Sequence, residues 1–249
     1  MRRARSILLA TALLATALLA ALPTRAGDFT EARSEMVQQV TARTQATAQV
    51  TGVREIAPKV LDALDRVPRH RFVPEKLRRF AYLPTPLPLG HGQNIASPYI
   101  VALMTHLAEV SEGAKVLETG TGAGYQAAVL AELGADVVSV EVIEPIANSA
   151  RMTLVETGHP RVETHIGDGY YGWPEGAPYD AILVKEALDH VPEPLMSQLK
   201  PGGRLVLPLG SLEGQQHLTV ITKQPDGAKP ERRRVLPVRF SPLQGGQRL

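Results

Sequence analysis

Three glycines at alternate positions, Gly120, Gly122 and Gly124, stand in VLETGTGAGYQ, with an acid, Glu118, two residues upstream of the first. The run lies directly after a strand-like segment and before a helix-like one, the context in which a glycine-rich loop is informative. Glycines so spaced let the backbone approach a ligand closely, since no Cβ intervenes. A dinucleotide fingerprint requires G-x-G-x-x-G, and counting from Gly120 the third glycine would fall on Tyr125, so a pyrophosphate cradle is excluded. The G-x-G-x-G spacing suits an adenosyl and amino-acid ligand instead. Glu141 closes the next strand-like run, VVSVEV, 23 residues beyond Glu118, where an acid can accept hydrogen bonds from both ribose hydroxyls. Asp168, in IGDGY after a third such run, can meet an adenine amino group. Each has a duller alternative: a tight connection for the glycines, a helix cap for Glu141, a turn for Asp168. Their joint placement at the carboxyl ends of consecutive parallel strands, where open α/β sheets bind ligands, favours the ligand reading.

The elements that must hold these residues are legible from periodicity. KVLE, VVSVEV, VETHI, DAILV and RLVLPLG are short apolar runs, with helical segments expected at Gln126 to Leu133, about Pro145 to Glu156, and near Glu193 to Leu199. Strands alternating with helices predict a mostly parallel sheet covered on both faces, an α/β Rossmann-like fold. HLTVIT and VLPVRF, separated by the turn-like PDG, predict a late antiparallel hairpin at one end of the sheet. Upstream, Phe29 to about Val50 and Ile56 to Leu64 read as a helical prelude. Val67 to Pro98 is rich in proline and predicts an irregular segment across the domain surface. A helix capped by Ser97 and opened by Pro98 is expected to run through His106.

The chain has 249 residues, 44% of them hydrophobic, which suits one sizeable globular domain. It has no cysteine, which removes disulfides, thiolate zinc sites and cysteine nucleophiles; no metal site is expected. Residues 1–26 read as a signal peptide: Arg2, Arg3 and Arg5, an apolar run from Ile7 to Leu22, then Pro23 to Ala26. A membrane anchor would need roughly 20 apolar residues, more than this run supplies. The leader holds four arginines and no acid, leaving 23 basic against 25 acidic residues behind it. The apparent basicity is the leader's, and charge gives no argument for nucleic-acid binding. The expected layout is a leader followed by a single domain over 27–249, with a helical prelude and substrate loop over 27–112 and a ligand-binding α/β core over 113–249. Export, to a periplasm, is the expected location, with the cytoplasm as the alternative; no stable membrane insertion is expected after leader removal, and a monomer is favoured.

The segments VPRHRFVP, LPLGHGQNIASPYIVALMT, VLETGTGAGYQAAVLAEL, GDGYYGWPEGAPYDAILV, LDHVPEPLMSQLKPGGRLVLPLG and VLPVRFSPL resemble protein-L-isoaspartate (D-aspartate) O-methyltransferases, from about Met36 to Gly246. The glycine loop alone would indicate a methyltransferase; the GHGQ and SPYIVA segment upstream, joined to GWPEGAPYDAI, selects the family. The resemblance implies a class I methyltransferase fold. It also implies transfer of a methyl group from S-adenosylmethionine to the free α-carboxylate of L-isoaspartyl residues in damaged proteins, a repair step. Glu118, Gly120, Gly122, Gly124, Glu141 and Asp168 match cofactor-site positions, and Thr121, Tyr125 and Gly169, interleaved with them, fall in the same site. Gln93 and Ile95 match the substrate-side loop, as do Val238 and Arg239 late in the chain. A carboxylate nucleophile is ionised at neutral pH and needs no general base, so positioning and water exclusion can carry the reaction. His91, between two glycines, reads as a turn or solvent contact rather than a base.

Two departures fall on the substrate side. The family reads Gln-Thr-Ile-Ser-x-Pro where this chain has Gln93-Asn94-Ile95-Ala96-Ser97-Pro98, so Ala96 stands in place of a serine. Ser97 either rotates in, making it a catalytic-site candidate with Gln93 and Ile95, or serves only as the helix cap. After the fourth strand, where the family has small residues, this chain has Lys185-Glu186-Ala187. Lys185 and Glu186 are either an exposed, solvated ion pair or, for Lys185, a contact to the substrate carboxylate.

Overall fold

The structure is a computed structural model that describes residues 28–225 and 227–245; the expected leader lies outside the described residues. Two helices come first, α1 (Thr30–Thr51) and α2 (Pro58–Arg66). The α/β core follows from β3 (Lys115–Thr119) through α4 (Tyr125–Glu132), β4 (Asp136–Glu141), α5 (Glu144–Glu156), β5 (Glu163–Ile166), β6 (Tyr179–Val184), α6 (Glu193–Gln198) and β7 (Leu199–Gly210). Two further strands, β8 (Gln216–Thr222) and β9 (Glu231–Val238), close the chain's regular structure. One seven-stranded sheet has the order β5-β4-β3-β6-β7-β8-β9. Strands β3 to β7 pair in parallel, whereas β8 runs antiparallel to both β7 and β9. The late hairpin therefore forms one edge of the sheet, as its sequence predicts.

Alternation along each central strand explains why both faces are covered. Val116, Ala181, Leu183 and Val206 point into a core shared with α1, α2, α3 (Pro98–Leu107) and α4. Leu117, Ile182, Val184, Leu205 and Leu207 point into a second core with Leu195 of α6. Each fully buried Leu or Ile contributes about 1.5–3 kcal/mol by leaving water, and a two-faced strand such as YDAILV has no polar side to expose. Among the described residues, no helix is long and apolar enough to cross a membrane.

The segment from Val67 to Pro98 is more ordered than its prolines suggest. It holds two 3-10 turns, Arg69–Phe72 and Glu75–Phe80, and a small hairpin of β1 (Leu87–Gly90) and β2 (Gln93–Ile95). The turn of that hairpin is Gly90-His91-Gly92, all three at positive φ, so the glycines are there for backbone reasons. Helix α3 (Pro98–Leu107) follows with proline in its first turn. Ser97 has the extended backbone of a cap residue but its side chain makes no capping hydrogen bond. The start of α3 rests on Pro98, whose fixed φ suits the first helical turn.

Candidate active site

A cavity of about 1380 Å³ opens at the carboxyl ends of β3, β4 and β6. Its inner wall is Gly120, Thr121, Gly122 and Glu141; its outer walls are Gln93 to Ser97, the cavity side of α1 and the stretch Leu236 to Ser241. The glycine-rich loop and the substrate-side loop thus share one space, although they lie far apart in the chain.

The loop after β3 is fixed by its neighbours on both sides. Gly120 and Thr121 donate backbone hydrogen bonds to the Val140 carbonyl. Glu141 Oε2 accepts from the Gly122 N–H at 2.9 Å and Oε1 from the Ile143 N–H at 3.0 Å. This acid therefore clasps the glycine loop to the end of β4 while keeping lone pairs for a ligand, because an ionised carboxylate offers about four acceptor sites. The cap alternative for Glu141 is partly realised, since its contact with Ile143 lies at the entrance to α5. Behind the loop, Glu118 is fully buried; its Oε2 accepts from the Ser139 hydroxyl at 2.7 Å, and Ser139 and Thr121 hydroxyls lie 2.7 Å apart. Ser139 escapes sequence reasoning, although a lone hydroxyl in the otherwise apolar run VVSVEV was the available signal.

Lys185 and Glu186 do not form an exposed pair. Just past β6 the chain stays against the end of β3, the Lys185 N–H donating to the Thr119 carbonyl at 3.0 Å, and this carries both side chains inward. The Lys185 side chain is 13% exposed, with Nζ 3.8 Å from Glu118 Oε1; it turns toward the buried acid rather than the substrate loop. The Glu186 carboxylate packs so closely on Gly120 that a Cβ there would collide with it. Gly120 also has φ +79°, so glycine is required on both counts. Glu186 Oε2 and Glu118 Oε1 are shielded from solvent without a hydrogen-bond partner. Of these, Glu118 Oε1 has Lys185 Nζ 3.8 Å away; the Glu186 carboxylate, beside the glycine loop with Oε2 unbonded, fits a cationic ligand such as S-adenosylmethionine.

Other sequence candidates are placed differently. Gly124 faces α5: a Cβ there would meet Leu154 at 3.2 Å and Ala150 at 3.5 Å, so it serves helix packing. Tyr125 is 1% exposed, edge-on to Phe72 and beneath the Arg69 guanidinium, and still forms part of the cavity lining. Asp168 accepts from the Tyr170 N–H at 2.9 Å in its own turn and lies against Gly245. Gly169 allows close approach to Thr119, its Cβ position being 2.7 Å from Thr119 Cβ. His91 is exposed at the hairpin turn, away from the cavity. Val238 and Arg239 do line it, and the tail beyond them is pinned across the loop after β6 by Ala187 N–H to Ser241 and Leu243 N–H to Ala187.

Arg69 is a second residue that sequence reasoning missed. Fully buried, it donates from Nε to the Ala81 carbonyl at 2.8 Å and from Nη2 to the Ala96 carbonyl at 2.7 Å. Its guanidinium lies 4.8 Å from the Tyr125 ring centroid. One side chain thereby ties the substrate-side loop to the helix that follows the glycine loop.

Electrostatics yields a first expected result. Burial pushes Glu118 up to about 7 and, joined by repulsion from Glu141, pushes Glu186 up to about 8, both from 4.5; Lys185 opposes each shift. The folded protein then holds protons that the unfolded chain has released, so these groups' contribution to stability falls as pH rises from 4.5 to about 8. His70, driven down to about 4 chiefly by burial, acts oppositely below its usual value of 6.5. Between about pH 6.5 and 8 the acids act without that opposition, and the unfolding temperature should fall by several degrees in ligand-free protein. Scanning fluorimetry showing a flat or rising profile there would contradict this electrostatic picture.

A mostly parallel seven-stranded sheet with its antiparallel edge hairpin, and a glycine loop clasped by the acid of the neighbouring strand, define a class I methyltransferase. The chain belongs to the protein-L-isoaspartate (D-aspartate) O-methyltransferase family, matching it over residues 46–248. It is 50% identical over 225 residues to protein-L-isoaspartate O-methyltransferase 1 of Nitrosospira multiformis, covering 90% of this chain and 92% of that one. To the Opitutus terrae protein-L-isoaspartate O-methyltransferase it is 55% identical over 183 residues, covering 74% and 78%. A solved protein-L-isoaspartate O-methyltransferase superposes with a TM-score of 0.73 at 28% identity, over 86% of this chain and 66% of that one.

Proposed function

We propose that this protein transfers a methyl group from S-adenosylmethionine to the free carboxylate of L-isoaspartyl or D-aspartyl residues in damaged proteins. The observation that carries this reading is the single cavity in which the glycine loop and the Gln93 to Ser97 loop face each other. Bound S-adenosylmethionine supplies an activated methyl group on a sulfonium that is its own leaving group. The chain's residues have the task of holding two reactants in line, a contribution worth up to several orders of magnitude in rate. Gly120 and Gly122 give the ligand access to backbone, Glu141 offers its remaining lone pairs to ribose hydroxyls, and Gln93 and Ile95 shape the acceptor side. Arg69 fixes the Ala96 carbonyl, and so the path of the loop. An isoaspartyl carboxylate is ionised at neutral pH, so the acceptor supplies its own nucleophile and needs no general base.

The direct test is methyl transfer from labelled cofactor to an isoaspartyl peptide and to its normal aspartyl isomer. Transfer to the isoaspartyl form alone is expected. Ala96→Ser restores a hydroxyl at the loop and should raise turnover about tenfold if the new bond tightens by ~1.4 kcal/mol in the transition state, with little change in cofactor affinity. Negligible transfer to both peptides by both proteins, with cofactor still bound, would assign the cavity to a different acceptor.

We further infer that the protein is exported, on the strength of the charged and apolar order of residues 1–26. Protein recovered from its native cell should begin at or near Gly27 and lie outside the cytoplasm. Mass spectrometry finding Met1 to Ala26 intact on cytosolic protein would refute export.

A further inference from the structure

Two carboxylates line the inner end of the cavity, Glu141 at the end of β4 and Glu186 just beyond β6, and two more act on Glu186 from behind it, Glu118 within β3 and Asp168 after β5. The cations that act among them are Lys185, 3.8 Å from Glu118 Oε1, and Arg69, whose field reaches Lys185 from beside Tyr125. Three of the acids have structural contacts of their own: Glu118 with Ser139, Glu141 with two backbone N–H groups, Asp168 with the Tyr170 N–H. Glu186 differs. Its carboxylate lies on the ligand side of Gly120, within the cavity wall, and Oε2 is shielded from solvent without a hydrogen-bond partner.

The methyl donor and its demethylated product share the adenine, the ribose and the amino-acid end. They differ by one methyl group and one positive charge, the sulfonium becoming a neutral thioether. Hydrogen bonds to the shared parts bind both molecules alike and give no preference. A carboxylate beside the aminoalkyl-sulfur region senses the one feature that differs, and in a shielded cavity that charge interaction is weakly screened. We propose that Glu186 is a specificity-determining residue that makes the site favour the positively charged methyl donor over its neutral product. The product then leaves a site that holds a surplus of negative charge, and fresh donor replaces it. The proposal rests on the cofactor reading of the cavity. Burial and Glu141 together hold Glu186 up at about 8 before ligand arrives; binding of a cation favours the ionised form, so the preference should strengthen as pH rises.

The test is calorimetric titration of S-adenosylmethionine and of S-adenosylhomocysteine, without peptide, into wild type, Glu186→Gln and Glu186→Ala, at about pH 7 and about pH 8.5. In Glu186→Gln the donor should bind ~5- to 10-fold more weakly while the product stays within about twofold. Glu186→Ala should lose the same discrimination, and folding of both variants is checked by thermal unfolding. The ratio of the two affinities should shift toward the donor at the higher pH by a larger factor in the wild type than in Glu186→Gln, because both proteins keep Glu118 and the ligand's own amine and only the wild type has the Glu186 carboxylate. Equal weakening of both ligands would make Glu186 a general contact, and equal tightening would make it a steric obstruction; either overturns the proposal. A wild type that binds neither molecule would instead overturn the cofactor site itself, and the proposal with it.

Discussion

Arg69→Ala should destabilise the protein by about 3–5 kcal/mol, the largest loss expected from any single change described above. The substitution leaves the Ala81 and Ala96 carbonyls without their donor and opens a hole above the Tyr125 ring. Each unpaired buried acceptor costs ~1–3 kcal/mol, and the unfilled volume adds to that. Burial already brings Arg69 down to about 10, still a cation at neutral pH, held by carbonyl oxygens and a ring face. Arg69→Lys should recover only part of the loss, since a single ammonium cannot span two carbonyls in a fixed fork. Chemical denaturation measures both variants. An Arg69→Ala protein within about 1 kcal/mol of wild type would remove the tie between the substrate loop and the glycine-loop helix.

Glu141→Ala should weaken S-adenosylmethionine and S-adenosylhomocysteine together by ~10- to 100-fold. Hydrogen bonds to a charged acceptor contribute about 1.5–3 kcal/mol, and here the same carboxylate also holds the Gly122 and Ile143 N–H groups. Part of the loss would come from a loosened loop. Glu141→Gln separates the two: one amide oxygen can keep one backbone contact while the ribose contacts are altered, so it should fall between wild type and alanine. Calorimetry reads all three. Unchanged affinity in Glu141→Ala would remove this acid from the ligand site. Equal loss of donor and product distinguishes this residue from Glu186, whose effect depends on ligand charge.

The sheet was largely legible in advance because its central strands are mainly apolar and alternate with helix-length segments. Runs such as VVSVEV and DAILV bury both faces and leave one structural solution. The Val67 to Pro98 stretch was less so: β1 and β2 pair only three positions, too short for alternation to register, and their clearest signal is the GHG turn. The glycine loop and Glu141 were identifiable because their spacing reflects backbone geometry. Gly124 and Tyr125 share the motif but point to α5 and to the Phe72 core, a distinction that depends on side-chain direction rather than spacing. Arg69, Lys185 and Glu186 were the hardest. A charged residue in a sequence reads as solvent-exposed, because burial of such groups is rare unless they are paired; the partners of Arg69 and Lys185, two carbonyls and a distant glutamate, and the packing of Glu186 on Gly120 are set by tertiary contact.

The cavity wall draws on α1 and on the stretch beyond β9, with residues from Glu35 to Ser241 on one surface, and Arg233 of β9 donates to the Thr51 carbonyl at the end of α1. Such contacts close a loop of nearly the whole described chain, and loop-closure entropy delays them in folding. The catalytic chamber is therefore expected to be completed late in assembly, after the parallel sheet has formed. The same contacts are poised to be among the earliest to open, so amide exchange in α1 and β9 should be faster than in β3 and β6 and should slow together when ligand is bound. An enzyme that meets proteins at the end of their useful lives would thus lose its own chamber before it loses its fold.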